Sequence, residues 1–393
     1  MNRRSFQRFI MAGRLHTMWL AVCILLPVSV FAQTQQIASV YHDVHLIESK
    51  TLNEQRSIWV RVPLNYQQTT EKFPVVYMLD GHAPQPSMMA GIIEQQAWGG
   101  QMPEMILVSI QNTNRSRDMT PTDDGKGGTV GGGGRFLEFI EKEVIPLVEK
   151  NYRTRPLRIF AGHSLGGMTV VYSFVTRPDL FNAYIAASPV LDYDDDFVIK
   201  EAAKLFRQKR EFENTMYLGI GDEPQYIGGF NRFRKLLESE KPKKLDFEFR
   251  EFKEDNHASV VLPVYYAGLR KIFDGWAPKN INTVADLESH YKKLSKRFGY
   301  EILIPEDTLN TAAYQILGQK NYAEAIRLFR KNAENYPNSA NVFDSLGEGY
   351  EANGQNKEAK DSYEKAYKMA KEQGNEALAS AIKTHLDRVL KKL

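Results

Sequence analysis

The chain reads as an α/β protein, a mostly parallel sheet with helices on both faces, followed by a small all-α region. Three observations predict this. Short apolar runs alternate with longer amphipathic ones from residue 39 to about residue 276. The central apolar runs are continuous, as strands covered on both faces are. Beyond Trp276 the composition turns to helix formers with almost no β-branched runs. At 393 residues, two or more domains are expected.

The expected strands are residues 57–62, 74–79, 105–110, 157–162, 183–187, 215–220 and 246–252. Helices are expected over 136–150, 168–176, 197–208, 231–239 and 261–273. Strands alternating with helices build an open sheet through right-handed crossovers. The earliest strands alternate polar and apolar residues, which suits an antiparallel edge. Residues 111–135 break the pattern with Pro121, Asp123, Asp124 and the run Gly131 to Gly134. So much glycine argues against a regular element, and a long loop inside a domain is usually functional. This one is expected to border the active site.

Residues 277–308 form a connector with one helix, 284–298. A repeat follows in 309–393: Ala359 and Tyr363 lie 34 residues beyond Ala325 and Phe329. Leu346, Gly347, Tyr350, Gly354 and Ala366 complete the second unit. The pattern resembles the tetratricopeptide repeat, whose small residues let paired helices pack closely. Two units are few for a solenoid, so a final helix over 376–393 is expected to cap them.

The first 32 residues stand apart. Arg3, Arg4, Arg8 and Arg14 form a basic start, residues 18–31 an apolar run of 14, and Val30-Phe31-Ala32 a cleavage site. These are the parts of a secretory signal peptide, and the run is short of the roughly 20 residues that span a bilayer. Export to the periplasm or medium follows, with residues 33–276 as the first mature domain and no stable membrane span after cleavage. The formal net charge of +3 belongs to that segment, because removing four arginines and no acid leaves 47 basic against 48 acidic residues. No basic face for nucleic acid remains. Cys23, the only cysteine, leaves with the segment, and with it any disulfide or thiol nucleophile.

The sharpest local signal is Gly162-His163-Ser164-Leu165-Gly166-Gly167, placed between an expected strand and an apolar helix. A sharp strand-to-helix turn lifts the Ser164 hydroxyl out of the sheet, and flanking glycines permit close backbone approach. A serine hydroxyl needs a base and an orienting acid. Their order in an α/β-hydrolase fold is Ser, acid, His. His257, just after the strand 246–252, is the candidate base; the other two histidines beyond Ser164, His290 and His385, lie in helical stretches. After the strand 215–220 comes Gly221-Asp222-Glu223-Pro224, which offers Glu223, or alternatively Asp222, as the acid. An oxyanion hole needs two backbone donors. Leu165 N–H is one, and Gly81 or His82, after the strand 74–79, would supply the other. The run Asp194 to Asp196 comes one strand too early for the acid and is expected to be a solvated loop. No metal site or phosphate loop emerges, since His163 lacks partner ligands in the sequence and the glycine run lacks a following Lys-Ser/Thr. No cofactor is implied.

Beyond these motifs the chain resembles the esterase family that includes enterochelin esterases, feruloyl esterases and esterase D. The resemblance rests on Met78-Leu79-Asp80-Gly81, Arg115 to Pro121, Gly133-Gly134, Phe136-Leu137, Ile145-Pro146, Tyr152-Arg153-Thr154, Gly162 to Gly167, Ser188-Pro189 and His257 to Val260. It implies that Ser164 and His257 carry ester hydrolysis. It also implies that Arg115 contacts polar or anionic substrate groups and that Tyr193 lines the acyl pocket. The expected substrate is a small-molecule or glycan-linked ester, and the repeats could hold a protein partner or a second copy of the chain. The alternatives are an interaction protein whose hydrolase domain is a scaffold, and a serine peptidase.

Overall fold

A computed structural model describes residues 43–393 apart from residues 65, 83, 210 and 280–282. The expected signal segment, residues 1–32, lies outside the described residues. Among the described residues no helix is long and apolar enough to cross a membrane.

Eight strands form one sheet: β1 (Asp43–Ser49), β2 (Glu54–Arg61), β3 (Phe73–Met78), β4 (Ile106–Ile110), β5 (Thr154–His163), β6 (Ala183–Ala187), β7 (Thr215–Gly221) and β8 (Asp246–Phe252). Their order is β1-β2-β4-β3-β5-β6-β7-β8. β1 pairs antiparallel with β2, and β2 antiparallel with β4, which is the expected edge. From β4 to β8 every pairing is parallel. In β3 and β4 every residue is buried, as their unbroken apolar runs require.

The helices of this half are α1 (Gln85–Trp98), α2 (Arg115–Met119), α3 (Gly133–Phe139), α4 (Ile145–Asn151), α5 (Leu165–Thr176), α6 (Tyr193–Gln208), α7 (Ile227–Glu240) and α8 (Val261–Ile272). A wide turn over Ile140–Val144 joins α3 to α4, and Ile145 N–H bonds back to Ile140 O. Pro146 is the cause. A proline ring clashes with the carbonyl four residues before it, and the wider turn moves that carbonyl away. The side chains of β3 alternate between two cores. Val75, Tyr77 and Leu79 face α3–α7, whereas Val76 and Met78 face α1 and α8.

The second core does not stop at the sheet. It runs from α8 through Ile272, Phe273 and Trp276 into the C-terminal helices and ends at Val389. Those helices are α9 (Val284–Phe298), α10 (Glu306–Gly318), α11 (Tyr322–Asn335), α12 (Ala340–Ala352), α13 (Asn356–Glu372) and α14 (Glu376–Leu390). Thr283 and Asp286 form a reciprocal capping box at the start of α9. Small residues set the spacing of the array. A Cβ on Gly347 of α12 would fall 2.5 Å from the Tyr363 ring of α13. Across the junction, His290 Nε2–H donates to Trp276 O at 2.9 Å and Arg297 Nη2 to Ile272 O at 2.8 Å.

Residues 111–135 correct the expectation of an irregular loop. The segment contains α2, whose Asn114 cap accepts from Arg117 N–H at 3.0 Å, and its last glycines open α3. It is pinned to β2 by a charge cluster. Arg56, fully buried, donates to Asp118 at 2.6 Å, and Arg117 forks onto Glu54 at 2.6 and 2.9 Å. Gly132 and Gly133 N–H then bond to Arg117 O at 2.8 Å and Thr120 O at 2.9 Å.

Candidate active site

Ser164 stands between the last residue of β5 and the first of α5, at φ 61° and ψ −120°. A non-glycine residue in that region is strained, by roughly 1–3 kcal/mol. The surroundings hold it there. Ser164 N–H donates to Ala187 O at 2.9 Å, and a Cβ on Gly162 would run into the Gly166 carbonyl, so the turn closes only on glycine. Two further non-glycine residues with positive φ lie on neighbouring strand ends, Asp80 (54°) after β3 and Ser188 (41°) after β6.

His257 comes from the turn between β8 and α8. Asn256 Oδ1 shapes that turn by accepting from Ala258 N–H at 2.9 Å and Ser259 N–H at 3.1 Å. The imidazole Nε2 lies 3.0 Å from Ser164 Oγ, and Nδ1 is hydrogen-bonded to Glu223 Oε2. Glu223 is 2% exposed. Its other oxygen accepts from Ser188 Oγ at 2.5 Å and Gly221 N–H at 3.0 Å. Asp222, the alternative acid, is exposed and meets this loop only through its backbone, N–H to Asp255 O at 2.7 Å. Of the two adjacent carboxylates, Glu223 is the one that reaches the imidazole. The Glu223–His257–Ser164 line thus joins groups 34 and 93 residues apart.

The backbone donors divide differently from expectation. Leu165 is the first residue of α5, where an N–H has no partner within the helix. Gly81 N–H is already taken by Ile110 O at 2.9 Å, because β4 continues alongside. That removes Gly81 as a donor and leaves His82, exposed in the next position, whose N–H meets no acceptor among the described residues.

Arg115 is not a free cation. Its Nε and Nη2 fork onto Asp80 Oδ1 and Oδ2 at 2.6 and 2.9 Å, and Nη2 also reaches His163 O at 3.1 Å. The hydrogen bonds to Asp80 hold its pKa above the usual arginine value. About a third of the side chain remains exposed, so any substrate contact is secondary to this clamp. Asp80, 4% exposed, also accepts from Asn112 Nδ2 at 2.6 Å. The sequence shows it as part of Met78-Leu79-Asp80-Gly81 after a strand, without indicating that it anchors Arg115.

Tyr193 turns its hydroxyl to Thr122 O at 2.9 Å, bridging the 111–135 segment to the start of α6. Tyr193 borders a cavity of about 350 Å³, lined also by Asp124, Lys126, Val190, Asp192 and Tyr226. Asp194 and Asp195 line it too, from a non-helical, left-handed stretch that includes Asp196 and is open to solvent at Asp195, where a solvated loop is expected. The Tyr226 ring lies 5.2 Å from that of His257, so one wall of the cavity adjoins the imidazole. Its rim carries four carboxylates and one ammonium.

Outside this site, Asp344 and Glu348 of α12 and His385 of α14 bring ligand atoms within 4.8 Å of one another. They are paired among themselves, with His385 Nδ1 2.9 Å from Asp344 Oδ1.

A parallel sheet with a strained serine turn at its carboxyl edge defines an α/β-hydrolase. Residues 49–270, more than half of the chain, match the Esterase family, described as "Putative esterase". The chain belongs to that family, and is a carboxylic-ester hydrolase. Over 258 residues it is 29% identical to the ferri-bacillibactin esterase BesA of Bacillus subtilis, covering 56% of this chain and 86% of that protein. The siderophore triacetylfusarinine C esterase of Aspergillus fumigatus is 29% identical over 153 residues, 35% of this chain and 51% of that one. Among solved structures, an IroE-like serine hydrolase from Shewanella oneidensis matches at 29% identity with a TM-score of 0.65, covering 74% of this chain and 99% of that chain. A protein from Capnocytophaga ochracea matches with a TM-score of 0.60 at 18% identity, over 89% of this chain and 99% of that one. At that identity the likeness is one of fold, and its reach takes in the C-terminal helices.

Proposed function

We propose that this ester hydrolase works as an exported serine esterase through Ser164, His257 and Glu223. The observation that carries the reading is the pair of contacts made by one imidazole, Nε2 to Ser164 Oγ at 3.0 Å and Nδ1 to Glu223. His257 Nε2 takes the Ser164 proton as Oγ attacks the ester carbonyl carbon. Leu165 and His82 N–H hold the resulting oxyanion. Glu223 keeps the imidazole oriented and offsets its charge while it is protonated. His257 then returns the proton to the departing alcohol. A water, deprotonated by the same nitrogen, attacks the acyl-enzyme; Ser164 Oγ leaves, takes that proton back from His257, and the acid is released.

Siderophore esters are the proposed substrate class, in line with the names of the curated relatives, with polysaccharide-linked esters as the next choice. The carboxylates of the cavity beside His257 add a preference within that class. Asp124, Asp192, Asp194 and Asp195 outnumber Lys126, so neutral or cationic esters enter more readily than polyanionic ones. The C-terminal helices are proposed to be two tetratricopeptide repeats with α14 as cap. They would recruit a partner, or a second chain, alongside catalysis.

The purified protein, treated with a fluorophosphonate, is expected to carry the label on Ser164 by peptide mass spectrometry. Trilactone, hydroxamate-linked, feruloyl and aryl esters would then be compared for turnover. A protein that ignores the probe and every ester would defeat the serine mechanism. Recovery of the chain from a cell fraction with its amino terminus still at Met1 would count against export with cleavage.

A further inference from the structure

His163 sits between the two halves of the site and has no part in the steps above. It ends β5, directly before Ser164. Its Nε2 lies 2.7 Å from the main-chain carbonyl of His257. A carbonyl oxygen only accepts, so Nε2 carries the hydrogen and donates it. The two imidazole rings lie 4.5 Å apart, tilted by 45°. The His163 carbonyl in turn accepts from Arg115 Nη2, which Asp80 holds. One residue thus links the nucleophile's turn, through its ring, to the loop that bears the base.

We propose that His163 is a positioning residue for ester hydrolysis: its Nε2–H fixes the His257 main chain so that the His257 imidazole meets Ser164 and Glu223 together. The inference rests on the serine-esterase reading. The turn after β8 is held on either side of His257, by Asp222 N–H on Asp255 O at 2.7 Å and Val260 N–H on Asn256 O at 3.0 Å. The His163 bond acts at the peptide of His257 itself, and ties it to the chain of Ser164 rather than to its own loop. Base and nucleophile therefore shift together when the strand ends breathe. A misplacement of about 1 Å in a reacting pair lowers turnover by roughly a hundredfold, so such a tether has a measurable consequence.

Electrostatics favour the same role. Burial, and then the facing His257, hold His163 down to about 4. The charged groups around it are His257 from the β8–α8 turn, Asp80 after β3 and Arg115 of α2. His163 is consequently neutral wherever the enzyme would work, and adds no like charge beside His257 as that ring takes up its proton.

The test compares His163→Met with His163→Gln in the full-length protein. The two replacements have similar length and volume, and only glutamine places an N–H donor near the former Nε2. For an aryl ester, His163→Met is expected to lower kcat about 10- to 100-fold with KM changed less than about twofold. His163→Gln is expected to recover most of that loss. The acid limb of the kcat/KM profile should shift in the methionine variant and return in the glutamine variant. A low-field proton resonance from the His257–Glu223 hydrogen bond should be present in the wild type and His163→Gln and weakened in His163→Met. Equal losses in the two variants, or a loss that only tracks the folded fraction measured by circular dichroism, would overturn the proposal. So would an unchanged resonance in His163→Met. Should the methionine variant fail to fold, His163→Phe keeps a ring without a donor and supplies the same contrast. A wild type that hydrolyses no ester but keeps the resonance pattern would refute the esterase mechanism and leave the tether standing.

Discussion

The strand ends around Ser164 and the helices after Trp276 are held together by opposite means. At the strand ends, polar groups far apart in sequence meet in ion pairs: Asp80 with Arg115, half-buried and 35 residues apart, and Arg56 with Asp118, buried and 62 apart. Three residues there adopt positive φ without being glycine. In the helical array the interior is apolar and rich in alanine, and most of the packing is between consecutive helices. Its ion pairs include local ones, as in Lys383–Asp387, four residues apart, and ones that tie separate helices, as in Arg388–Glu351, 37 apart. The strand ends keep their geometry at the expense of backbone strain at three residues, whereas the array is a packing of small side chains with one such non-glycine turn, at Lys320 (φ 61°). Substitutions in the first region should therefore reach turnover before stability, and those in the second should reach stability alone.

The largest effect that can sharpen this contrast is expected from Ser164→Ala. Turnover of an aryl ester should fall about 10⁴- to 10⁶-fold, with a thermal midpoint near that of the wild type. A variant that kept a tenth of its activity would remove Ser164 from the mechanism. Next in size is the contrast between adjacent carboxylates. Glu223→Gln is expected to lower kcat by about 10²- to 10⁴-fold, and Asp222→Asn to leave it within about twofold. Equal losses measured side by side would mean that the exposed carboxylate takes part.

In the array, Gly347→Ala places a methyl group against the Tyr363 ring. A destabilisation of about 1–3 kcal/mol is expected in a denaturant titration, with kcat per folded molecule unchanged. A drop in kcat at full folding would break the proposed separation of the two regions.

The smallest effect is a pH dependence. Hydrogen bonds from Arg117 above all, and from Arg56, hold the Glu54 carboxyl down to about 2 from the ordinary 4.5. A folded-state value below the unfolded one means stability that is fully present above pH 4.5 and lost as pH falls towards 2. The thermal midpoint should decline across that window, and Glu54→Gln should flatten part of the decline. Identical slopes for the two proteins would show that the Arg56–Arg117 cluster does not couple to folding.

Much of this architecture was legible because periodicity and turn chemistry are local. Continuous apolar runs marked β3 to β7, and Gly162 to Gly167 marked the turn at Ser164. Helix α9 was readable to the residue, because Thr283 and Asp286 cap it and Gly299 ends it. Two helices were not. In α1 apolar residues occupy both faces, Ile92 and Ile93 inside and Trp98 87% exposed, which blurs the helical period. In α2 the glycine and proline content of the surrounding segment hid five residues whose order comes from Glu54 and Arg56, on another strand.

What the sequence determined by itself is the order of elements, the place of the serine turn and the short set of side chains able to stand near it. What only the tertiary structure decided is which of those groups are free. Glu223 rather than Asp222 turns inward, where Ser188 Oγ, Gly221 N–H and His257 meet its carboxylate. Gly81 loses its N–H because β4 runs beside it, and Arg115 loses its freedom to Asp80. The physical reason is common to all three. A donor or charge is available only if no neighbouring strand brings it a partner, and neighbours in a parallel sheet come from far along the chain.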